Sequence, residues 1–290
     1  GKIKPTTLGN MDKLYWPKEK ITKGDLLRYY KAAAPFILPH LKDRPVSLKR
    51  YPDGIEGFSF FQKNIEKPPK GIKTASIRHE SGAVHYLLIQ DENSLLYAAN
   101  LGSIELHPFF SRVKTLKRPD FLLLDLDPKT ASFEKVIQIA QAIHTFLKNK
   151  KIPSFCKTSG ATGLHIVIPL GAEYSYKRAK EFARIIALAI HQILPDIATL
   201  ERTISKRKGK VYIDYQQNDF AKTFAAPYSV RAREGAPVST PLKWDEVKKG
   251  LDPKKFTFAK TLVRLKKLGD LFKPVLGKGV NLKAKLKGTK

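Results

Sequence analysis

The sequence has little cysteine and few acidic residues for its length. Cys156 is the one cysteine among 290 residues, which excludes an internal disulfide framework and a thiolate zinc cluster within one chain. No stretch approaches the roughly 18 consecutive apolar residues of a membrane span, so we expect that this is not an integral membrane protein. The chain begins without the apolar core of a signal peptide, and we therefore expect a soluble protein that is not exported.

Positive charge dominates what is present. The chain has 54 Lys and Arg against 26 Asp and Glu, which gives a formal net charge of +28. A surface of that charge repels itself, so a polyanionic partner, nucleic acid, is the simplest explanation. Apolar residues make up 42% and aromatic residues 10%, which argues against disorder or a fibre. We expect an intracellular protein that binds nucleic acid.

Helices and strands alternate along the chain. Thr22, Ser132 and Ser175 each precede apolar residues at helical spacing and are expected N-caps; the first is predicted to cap a helix over 23–34, with Asp25 placed for a capping box. Strands are predicted over 46–50, 84–89, 121–126, 164–168 and 211–215. This pattern predicts an α/β (α+β) fold with central mixed or antiparallel sheets flanked by helices.

The last residues differ from the rest of the chain. Residues 273–290 are basic, interrupted by Gly and Pro, and show little hydrophobic periodicity. We interpret them as a basic tail or linker, and residues 1–272 as one catalytic domain. A disordered, solvated terminus explains the same pattern equally well.

Two aspartates lie at the end of an apolar segment that reads as a buried strand. Asp125 and Asp127 are two residues apart, so a strand places both side chains on one face. Adjacent carboxylates repel each other, and a divalent cation such as Mg²⁺ or Mn²⁺ relieves that repulsion. An aspartate that caps the next loop, beside a neighbour in an ion pair, is an equally good explanation of so short a motif.

A third carboxylate strengthens the metal interpretation. Asp214 lies in a second apolar segment, over 211–215. Three carboxylates that hold two metal ions are a common arrangement for displacement at phosphorus. Asp214 alone would be an ordinary residue at the end of a strand.

A turn rich in glycine and hydroxyl residues separates the two carboxylate strands. Ser159 and Gly160 lie in this turn, and its backbone N–H groups are suited to binding phosphate. His165 follows at the start of a strand. A plain hairpin is the favoured interpretation of such a turn in isolation, but its position between two carboxylate strands reverses that preference.

Further residues suit nucleic acid. Arg207 lies in a basic run before Asp214, and Arg231 and Arg233 alternate in what reads as one strand, a pattern suited to phosphate contacts. A solvated charge run also explains the first group. Phe60 or Phe61 could stack on an unpaired base, although most phenylalanines are core residues. A core or capping role remains the default interpretation of His107.

Nine motifs occur in the order and spacing of a known family. The chain resembles the polymerase domain of bacterial ligase D, a branch of the archaeo-eukaryotic primase superfamily that works in non-homologous end joining. The resemblance extends from residue 14 to about residue 272. Its motifs are DKLYWP (12–17), TKGDL (22–26), RPVSLKRYPDG (44–54), FFQKN (60–64), ANLGSIELHP (99–108), DLDP (125–128), KTSGATGLH (157–165), DY (214–215) and APYSVRAR (226–233).

The resemblance implies a role for each candidate residue. It implies a template-dependent nucleotidyltransferase that adds ribo- or deoxyribonucleotides to 3′-hydroxyl ends at gaps and double-strand breaks, with two Mn²⁺ (or Mg²⁺) ions and an NTP or dNTP substrate. Ribonucleotides are the usual preference of the family. The implied assignments are as follows: metal binding and catalysis by Asp125, Asp127 and Asp214; nucleotide binding by Lys49, His107, Ser159, Gly160, His165, Arg207, Arg231 and Arg233; binding of a DNA 5′-phosphate by Lys13 and Lys23; template stacking by Phe60 and Phe61.

The chain departs from the family at one position of the phosphate turn. Some members carry Lys where this chain has Thr162, so one charged phosphate contact is expected to be missing, which affects nucleotide affinity more than the reaction. No Lys-x-Asp-Gly ligase motif is visible. Sealing would therefore depend on an ATP-dependent DNA ligase elsewhere, and a Ku-type end-binding protein is an implied partner. The implied location is the prokaryotic cytoplasm, near the nucleoid.

Three other functions remain open on the residues alone. A two-metal nuclease or phosphoesterase also needs clustered aspartates, and the sequence pattern does not separate it from a polymerase. A non-catalytic module that bridges DNA ends would use the same basic surface. A glycosyltransferase of the Asp-x-Asp type is hard to reconcile with a net charge of +28.

Overall fold

The computed structural model describes residues 8–289, which form two compact units. The first unit contains the described residues up to 114, together with 223–239 and 254–270. The second unit contains 115–222, 240–253 and the residues from 271 onward. The helices of the two units are α1 (Lys23–Leu41), α2 (Glu92–Asn100), α3 (Phe133–Asn149), α4 (Tyr176–Ile193), α5 (Phe258–Leu268) and α6 (Leu282–Lys285).

The first unit is built around a five-stranded antiparallel sheet. Its central strand pairs on one side with β7 and on the other with β6 and then β4, while β5 pairs with β6. A separate two-stranded sheet precedes it. The strands of this unit are β1 (Leu14–Trp16), β2 (Ile21–Thr22), β3 (Pro45–Arg50, the central strand), β4 (Phe60–Gln62), β5 (Lys73–His79), β6 (Gly82–Leu88) and β7 (Ser103–Pro108).

Helix α1 begins as the sequence predicts and ends later. The Thr22 side chain accepts from the Asp25 N–H, and the Asp25 carboxylate accepts from the Thr22 N–H, so the predicted capping box is present. The helix continues to Leu41 through two prolines. Its buried face includes Ile37 and Leu41, and this tertiary packing outweighs the local helix-breaking preference of proline.

The second unit contains a six-stranded sheet in the order β11-β12-β8-β10-β9-β13. Its pairs are antiparallel except for β11 with β12, and α3 and α4 pack against each other and against β8. Ser132 and Ser175 cap these two helices as predicted. The strands are β8 (Phe121–Asp127), β9 (Phe155–Thr158), β10 (Leu164–Pro169), β11 (Ala198–Thr199), β12 (Val211–Asp214) and β13 (Pro241–Leu242).

Residues 271–289 fold onto the second unit. Val275, Val280, Leu282 and Leu286 are buried, and the Val280 N–H donates to the Pro169 carbonyl at 3.0 Å. These apolar residues are irregularly spaced in short helical turns, which explains why the sequence shows no period there. The division into a catalytic domain (1–272) and a basic tail (273–290) stays a prediction, and residues 1–7 and 290 lie outside the described residues.

The mixed α/β (α+β) fold with antiparallel and mixed sheets is the predicted class, but one predicted strand is wrong. Arg231 and Arg233 lie in no strand of the described chain; their neighbour Val230 makes an isolated bridge to Val238. The Arg233 N–H donates to the Arg231 carbonyl in a turn, which Gly235 extends at a φ of +84°. Over residues 8–289, no helix is both long and apolar enough to cross a bilayer.

Candidate active site and nucleic-acid contacts

Four polar side chains form a row across the sheet of the second unit. Lys157 on β9 pairs in register with His165 on β10, which pairs with Asp125 on β8, which pairs with Asp214 on β12. Directly opposed residues of antiparallel strands lie on the same face of a sheet. The register therefore brings together residues that are up to 89 positions apart in the sequence.

The row holds the His165 ring from both sides. The Lys157 ammonium lies 2.9 Å from His165 Nδ1, and His165 Nε2 lies 3.4 Å from Asp125 Oδ1. An ammonium group can only donate, so Nδ1 is the acceptor and the ring carries its proton on Nε2, which faces Asp125. Lys157 is fully buried. Sequence reasoning missed it, because a lysine beside a glycine-rich turn gives no sign that it points into the protein.

Asp214 is a buried carboxylate close to a second one. Its Oδ1 accepts from the Gln216 N–H at 2.8 Å, and its Oδ2 accepts from the Gln217 amide at 2.9 Å. Burial raises the pKa of Asp214 and the nearby charge of Asp125 raises it further, although these hydrogen bonds oppose the shift. A positive charge between Asp125 and Asp214 would reduce the repulsion that contributes to the raised pKa of Asp214.

Asp127 lies on the same face as Asp125 and pairs with Arg207. Arg207 Nη1 lies 3.1 Å from Asp127 Oδ2, and the guanidinium stacks over the Tyr212 ring at 4.3 Å. Arg207 is only 7% exposed, whereas Lys206 and Lys208 beside it are exposed. A solvated charge run therefore describes the lysines and not Arg207.

The three aspartates suit a hard cation by the chemistry of their oxygen atoms. As the side chains lie, however, no group of three or more His, Cys, Asp or Glu within residues 8–289 is already arranged to hold a metal ion. Oxygens of Asp127 and Asp214 instead accept hydrogen bonds from Arg207, Gln216 and Gln217. The donor set fits a divalent cation that competes with these protein contacts.

The predicted phosphate turn is organised by the Ser159 hydroxyl. This oxygen accepts from the N–H groups of Ala161 at 3.0 Å and Gly163 at 3.1 Å, so neither N–H points outward. Within the described chain, the N–H groups of Gly160 and Thr162 have no hydrogen-bond partner and remain for a ligand. Gly160 has a φ of +77°, and Gly163 approaches β8 so closely that a Cβ would lie 2.0 Å from the Leu126 carbonyl.

A second row of side chains lies on the sheet of the first unit. Lys49 on β3 pairs in register with Phe61 on β4 and with Glu105 on β7, and His107 follows two residues later on the Glu105 face. The Lys49 ammonium lies 4.2 Å from the centre of the Phe61 ring. The His107 ring meets the same phenylalanine edge to face at 5.6 Å. The register thus groups three residues predicted to contact nucleotide or template.

Glu105 joins His107 to Arg231. The His107 Nε2 group lies 2.9 Å from Glu105 Oε1, while Oε2 accepts from the Ala232 N–H at 2.9 Å and lies 3.3 Å from Arg231 Nε. Burial raises the pKa of Glu105, but the His107 hydrogen bond and the Arg231 charge outweigh it and hold the pKa at about 2. Sequence reasoning missed Glu105, although its place two residues before His107 on one strand face was a usable signal.

Arg233 differs from Arg231 in its surroundings. The Arg233 side chain is exposed and makes no ion pair with any described residue. Its backbone is fixed, because the buried Trp16 indole donates to the Arg233 carbonyl at 2.8 Å. Arg233 is therefore a free cation on an anchored turn, whereas Arg231 is held by Glu105.

Phe60 and Phe61 point to opposite faces of β4. Phe61 lies on the Lys49 face, and Phe60 stacks instead over the Arg50 guanidinium at 5.0 Å. The two rings cannot act as one adjacent pair on a single base, because successive strand residues alternate. Their assignments to template stacking stay predictions for two separate faces.

Lys13 and Lys23 lie side by side at the start of α1. The Lys23 N–H donates to the Lys13 carbonyl at 2.8 Å, and the Lys13 ammonium lies 2.5 Å from Asp53. Burial lowers the pKa of Lys23, and the charges of Lys13 and Arg50 lower it further. Three neighbouring cations with one carboxylate leave excess positive charge, which suits an anion such as phosphate.

Comparisons with known proteins identify the family of the chain. Residues 22–272 match the family described as LigD, primase-polymerase domain. The multifunctional non-homologous end joining protein LigD of Mycolicibacterium smegmatis is 34% identical over 274 residues, and the bifunctional LigD of Bacillus subtilis is 35% identical over 262 residues. The matches cover 92% and 90% of this chain but 36% and 42% of those proteins, so the chain spans well under half their length.

A solved structure is similar over nearly the whole chain. It is the polymerase domain of Mycobacterium tuberculosis ligase D in complex with DNA. The TM-score is 0.88 at 29% sequence identity, and the match covers 95% of this chain and 99% of that one.

Proposed function

Because the chain belongs to the LigD primase-polymerase domain family, we propose that it is a template-dependent nucleotidyltransferase of the DNA-directed polymerase and primase type. It adds ribo- or deoxyribonucleotides to the 3′-hydroxyl at gaps and double-strand breaks during non-homologous end joining. A single observation carries this proposal: Asp125 and Asp214 oppose each other in register and share a row with His165 and Lys157. Such an arrangement concentrates negative charge beside groups that can meet a phosphate.

Asp125, Asp127 and Asp214 are the residues that would hold two Mn²⁺ or Mg²⁺ ions. When bound, the ions supply a lowered pKa for the attacking 3′-hydroxyl and neutralise charge on the pyrophosphate. Gln217 keeps Asp214 oriented and Arg207 keeps Asp127 oriented before an ion binds. The raised pKa of Asp214 supports a site that needs positive charge.

Within the second unit, we assign the nucleotide's phosphates to the turn and to its cations. The N–H groups of Gly160 and Thr162 are placed to donate to phosphate oxygens, while the Ser159 hydroxyl holds the turn in shape. The proton on His165 Nε2 faces the carboxylate row and is available to stabilise developing negative charge there. Thr162 offers an N–H and a hydroxyl at the position where we expect a lysine in some members of the family.

Within the first unit, we assign sugar and phosphate contacts to the second row. Lys49 and His107 suit the nucleotide's sugar, and Arg231 and Arg233 suit its phosphates. Arg231 is oriented by Glu105, so its guanidinium loses little freedom on binding. Lys13 and Lys23 would bind the DNA 5′-phosphate on the far side of a gap, since their excess charge lies at the start of a helix.

The cellular setting follows from the same proposal. DNA with gaps or broken ends is the substrate, and the net charge of +28 makes its binding strongly dependent on salt. A Ku-type end-binding protein and an ATP-dependent DNA ligase are the proposed partners. The proposed location is the prokaryotic cytoplasm, at the nucleoid.

Primer extension on gapped DNA tests the proposal. A labelled primer faces a downstream 5′-phosphate, and extension is compared with Mn²⁺ and NTPs, with Mn²⁺ and dNTPs, and without metal. The double variant Asp125→Ala/Asp127→Ala is measured beside Asp196→Ala, an exposed acid of the same unit. We expect growth by template-matched nucleotides, better with NTPs, in the wild type and in Asp196→Ala but not in the double variant.

Two results would replace the proposal. Shortening of the primer would indicate the two-metal nuclease or phosphoesterase instead. An unchanged primer on tightly bound DNA, with binding unaffected in the double variant, would indicate a module that only bridges DNA ends.

A further inference from the structure

Phe58 is the most exposed large hydrophobic residue of the first unit's sheet region. Its side chain is 71% exposed, yet its ring is not isolated. It lies nearly parallel to the Phe60 ring, with centroids 5.5 Å apart and an angle of 22° between the planes. One face of the Phe58 ring therefore packs on Phe60, and the other face is open to solvent. Exposure of this apolar face is unfavourable, so a ligand that covers it would gain hydrophobic free energy.

The ring below Phe58 rests on a fixed cation. The Phe60 ring centre lies 5.0 Å from the Arg50 guanidinium. Arg50 donates from Nε to the Leu101 carbonyl at 2.7 Å and from Nη1 to the Gln62 side chain at 3.0 Å. The three side chains make a layered stack whose base is held by hydrogen bonds and whose top is the exposed ring. Such a surface is ready to accept one more planar group.

The stack stands beside the Lys13 and Lys23 cluster. Asp53 packs against Gly57, the residue before Phe58, where an added Cβ would lie 2.9 Å from the Asp53 Cβ. Lys13 pairs with Asp53, and Asp53 and Phe58 lie in the same loop, over residues 51–59 between β3 and β4. A planar apolar surface next to several cations is the combination that binds a base together with its phosphate.

We propose that Phe58 stacks on an unpaired base of a DNA strand, beside the 5′-phosphate that Lys13 and Lys23 bind. The ligand is a nucleobase in a single-stranded stretch, such as the template in a gap. The stack lies on the opposite face of β4 from Phe61, so it is a binding position separate from the one that Phe61 can offer. This inference rests on the proposed DNA substrate and does not depend on nucleotide transfer.

Binding to gapped DNA without nucleotide or metal tests the inference. Fluorescence anisotropy compares Phe58→Ala with Phe58→Tyr, which keeps a ring, and with Ile193→Ala, which removes an exposed apolar side chain of the second unit. We expect at least about fivefold weaker binding for Phe58→Ala on gapped DNA, from the usual strength of base–aromatic stacking. Phe58→Tyr and Ile193→Ala should bind like the wild type, and intact duplex should not distinguish any of the variants.

A photocrosslink locates the contact directly. 5-Iododeoxyuridine is placed at each unpaired template position in turn, and the crosslinked residue is identified by mass spectrometry. We expect a crosslink to Phe58 from at least one gap position in the wild type. Equal affinity of Phe58→Ala and wild type on gapped DNA, or crosslinks that never include Phe58, would overturn the inference.

The failure of this inference is distinguishable from failure of the proposed function. If primers are extended while Phe58→Ala binds gapped DNA normally, only the stacking inference is wrong. If Phe58→Ala weakens binding to gapped DNA while no protein extends a primer, the stacking inference stands and the polymerase proposal does not.

Discussion

Asp125 and Asp214 face each other directly across the antiparallel pair of β8 and β12. Each lies in a strand of mostly apolar residues, and Asp214 is 8% exposed. Two carboxylates so placed destabilise the folded chain, because burial and the charge of Asp125 both raise the pKa of Asp214. Because this carboxylate pair is unfavourable for folding, it indicates a functional role for the negative charge.

Divalent metal should stabilise the protein through these carboxylates. A ligand present at about a hundred times its dissociation constant stabilises the folded state by about 2.7 kcal/mol. We therefore expect Mn²⁺ to raise the melting temperature of the wild type and EDTA to reverse the rise. Asp125→Asn/Asp214→Asn should melt at least as high as the metal-free wild type and gain nothing from Mn²⁺. A metal-dependent rise of equal size in the double variant would place the metal elsewhere.

Lys157→Met should disturb the site through His165. Without the ammonium 2.9 Å from Nδ1, the ring loses the contact that fixes its orientation toward Asp125. Residues that orient a functional group typically contribute about ten- to a hundredfold to activity, so kcat/KM for the nucleotide should fall by that amount.

A double-mutant cycle separates this effect from general destabilisation. Adding Lys157→Met to His165→Ala should cost little further activity, because the lysine acts through the ring. Lys206→Met, which removes an exposed lysine, is the control and should leave kcat/KM unchanged. If the two substitutions lowered kcat/KM independently, so that their effects multiplied in the double variant, the positioning role of Lys157 would be contradicted.

Glu105 should stabilise the first unit above its pKa in the unfolded chain. Its folded pKa of about 2 lies below the ordinary value of 4.5, so the stabilisation is full above pH 4.5 and is lost as the pH falls toward 2. Against Glu105→Gln, the difference in unfolding free energy should be about 3 kcal/mol at neutral pH, because one pKa unit corresponds to about 1.4 kcal/mol. Denaturant unfolding across this pH range measures the difference.

A surface glutamate is the control for this pH dependence. Glu234 pairs with Lys18 on the exposed surface, and Glu234→Gln should change stability little at any pH. A difference for Glu105→Gln that stays constant as the pH falls from 4.5 to 2 would show that its carboxylate charge is not responsible.

Gly163→Ala should deform the phosphate turn. The new Cβ would lie 2.0 Å from the Leu126 carbonyl, a backbone atom that cannot move without shifting β8 and its carboxylates. We expect destabilisation of about 3 kcal/mol, together with loss of primer extension. Gly9→Ala is the control, since its Cβ would meet nothing within 4 Å. Normal stability and activity of Gly163→Ala would contradict the tight approach.

Local features of the fold could be predicted from the sequence. The N-caps Thr22, Ser132 and Ser175 act on backbone N–H groups only three residues away, so their effect depends on neighbours in the chain. The Asp125 and Asp127 pair could be placed on one face for the same reason, since strand alternation is a local rule.

Other features depended on distant contacts. Arg231 and Arg233 look like a strand in sequence, but the chain turns there, with the Arg231 N–H bonded to the Pro237 carbonyl. Val280 belongs to no hydrophobic period, because it lies outside any regular element and its backbone bonds to the end of β10. Lys157 gave no chemical signal in sequence, since its partner His165 becomes visible only when β9 and β10 pair.

The sequence by itself determined the family, the strands that carry the carboxylates and the helices that pack on them. These features depend on motif order and hydrophobic period, which are properties of the sequence alone. Only the tertiary structure decided that Asp125 meets Asp214 and His165, that Lys157 points inward, and that Phe61 meets Lys49 while Phe60 meets Arg50. The physical reason is register: a shift of one residue between paired strands would send each of these side chains to the opposite face of its sheet.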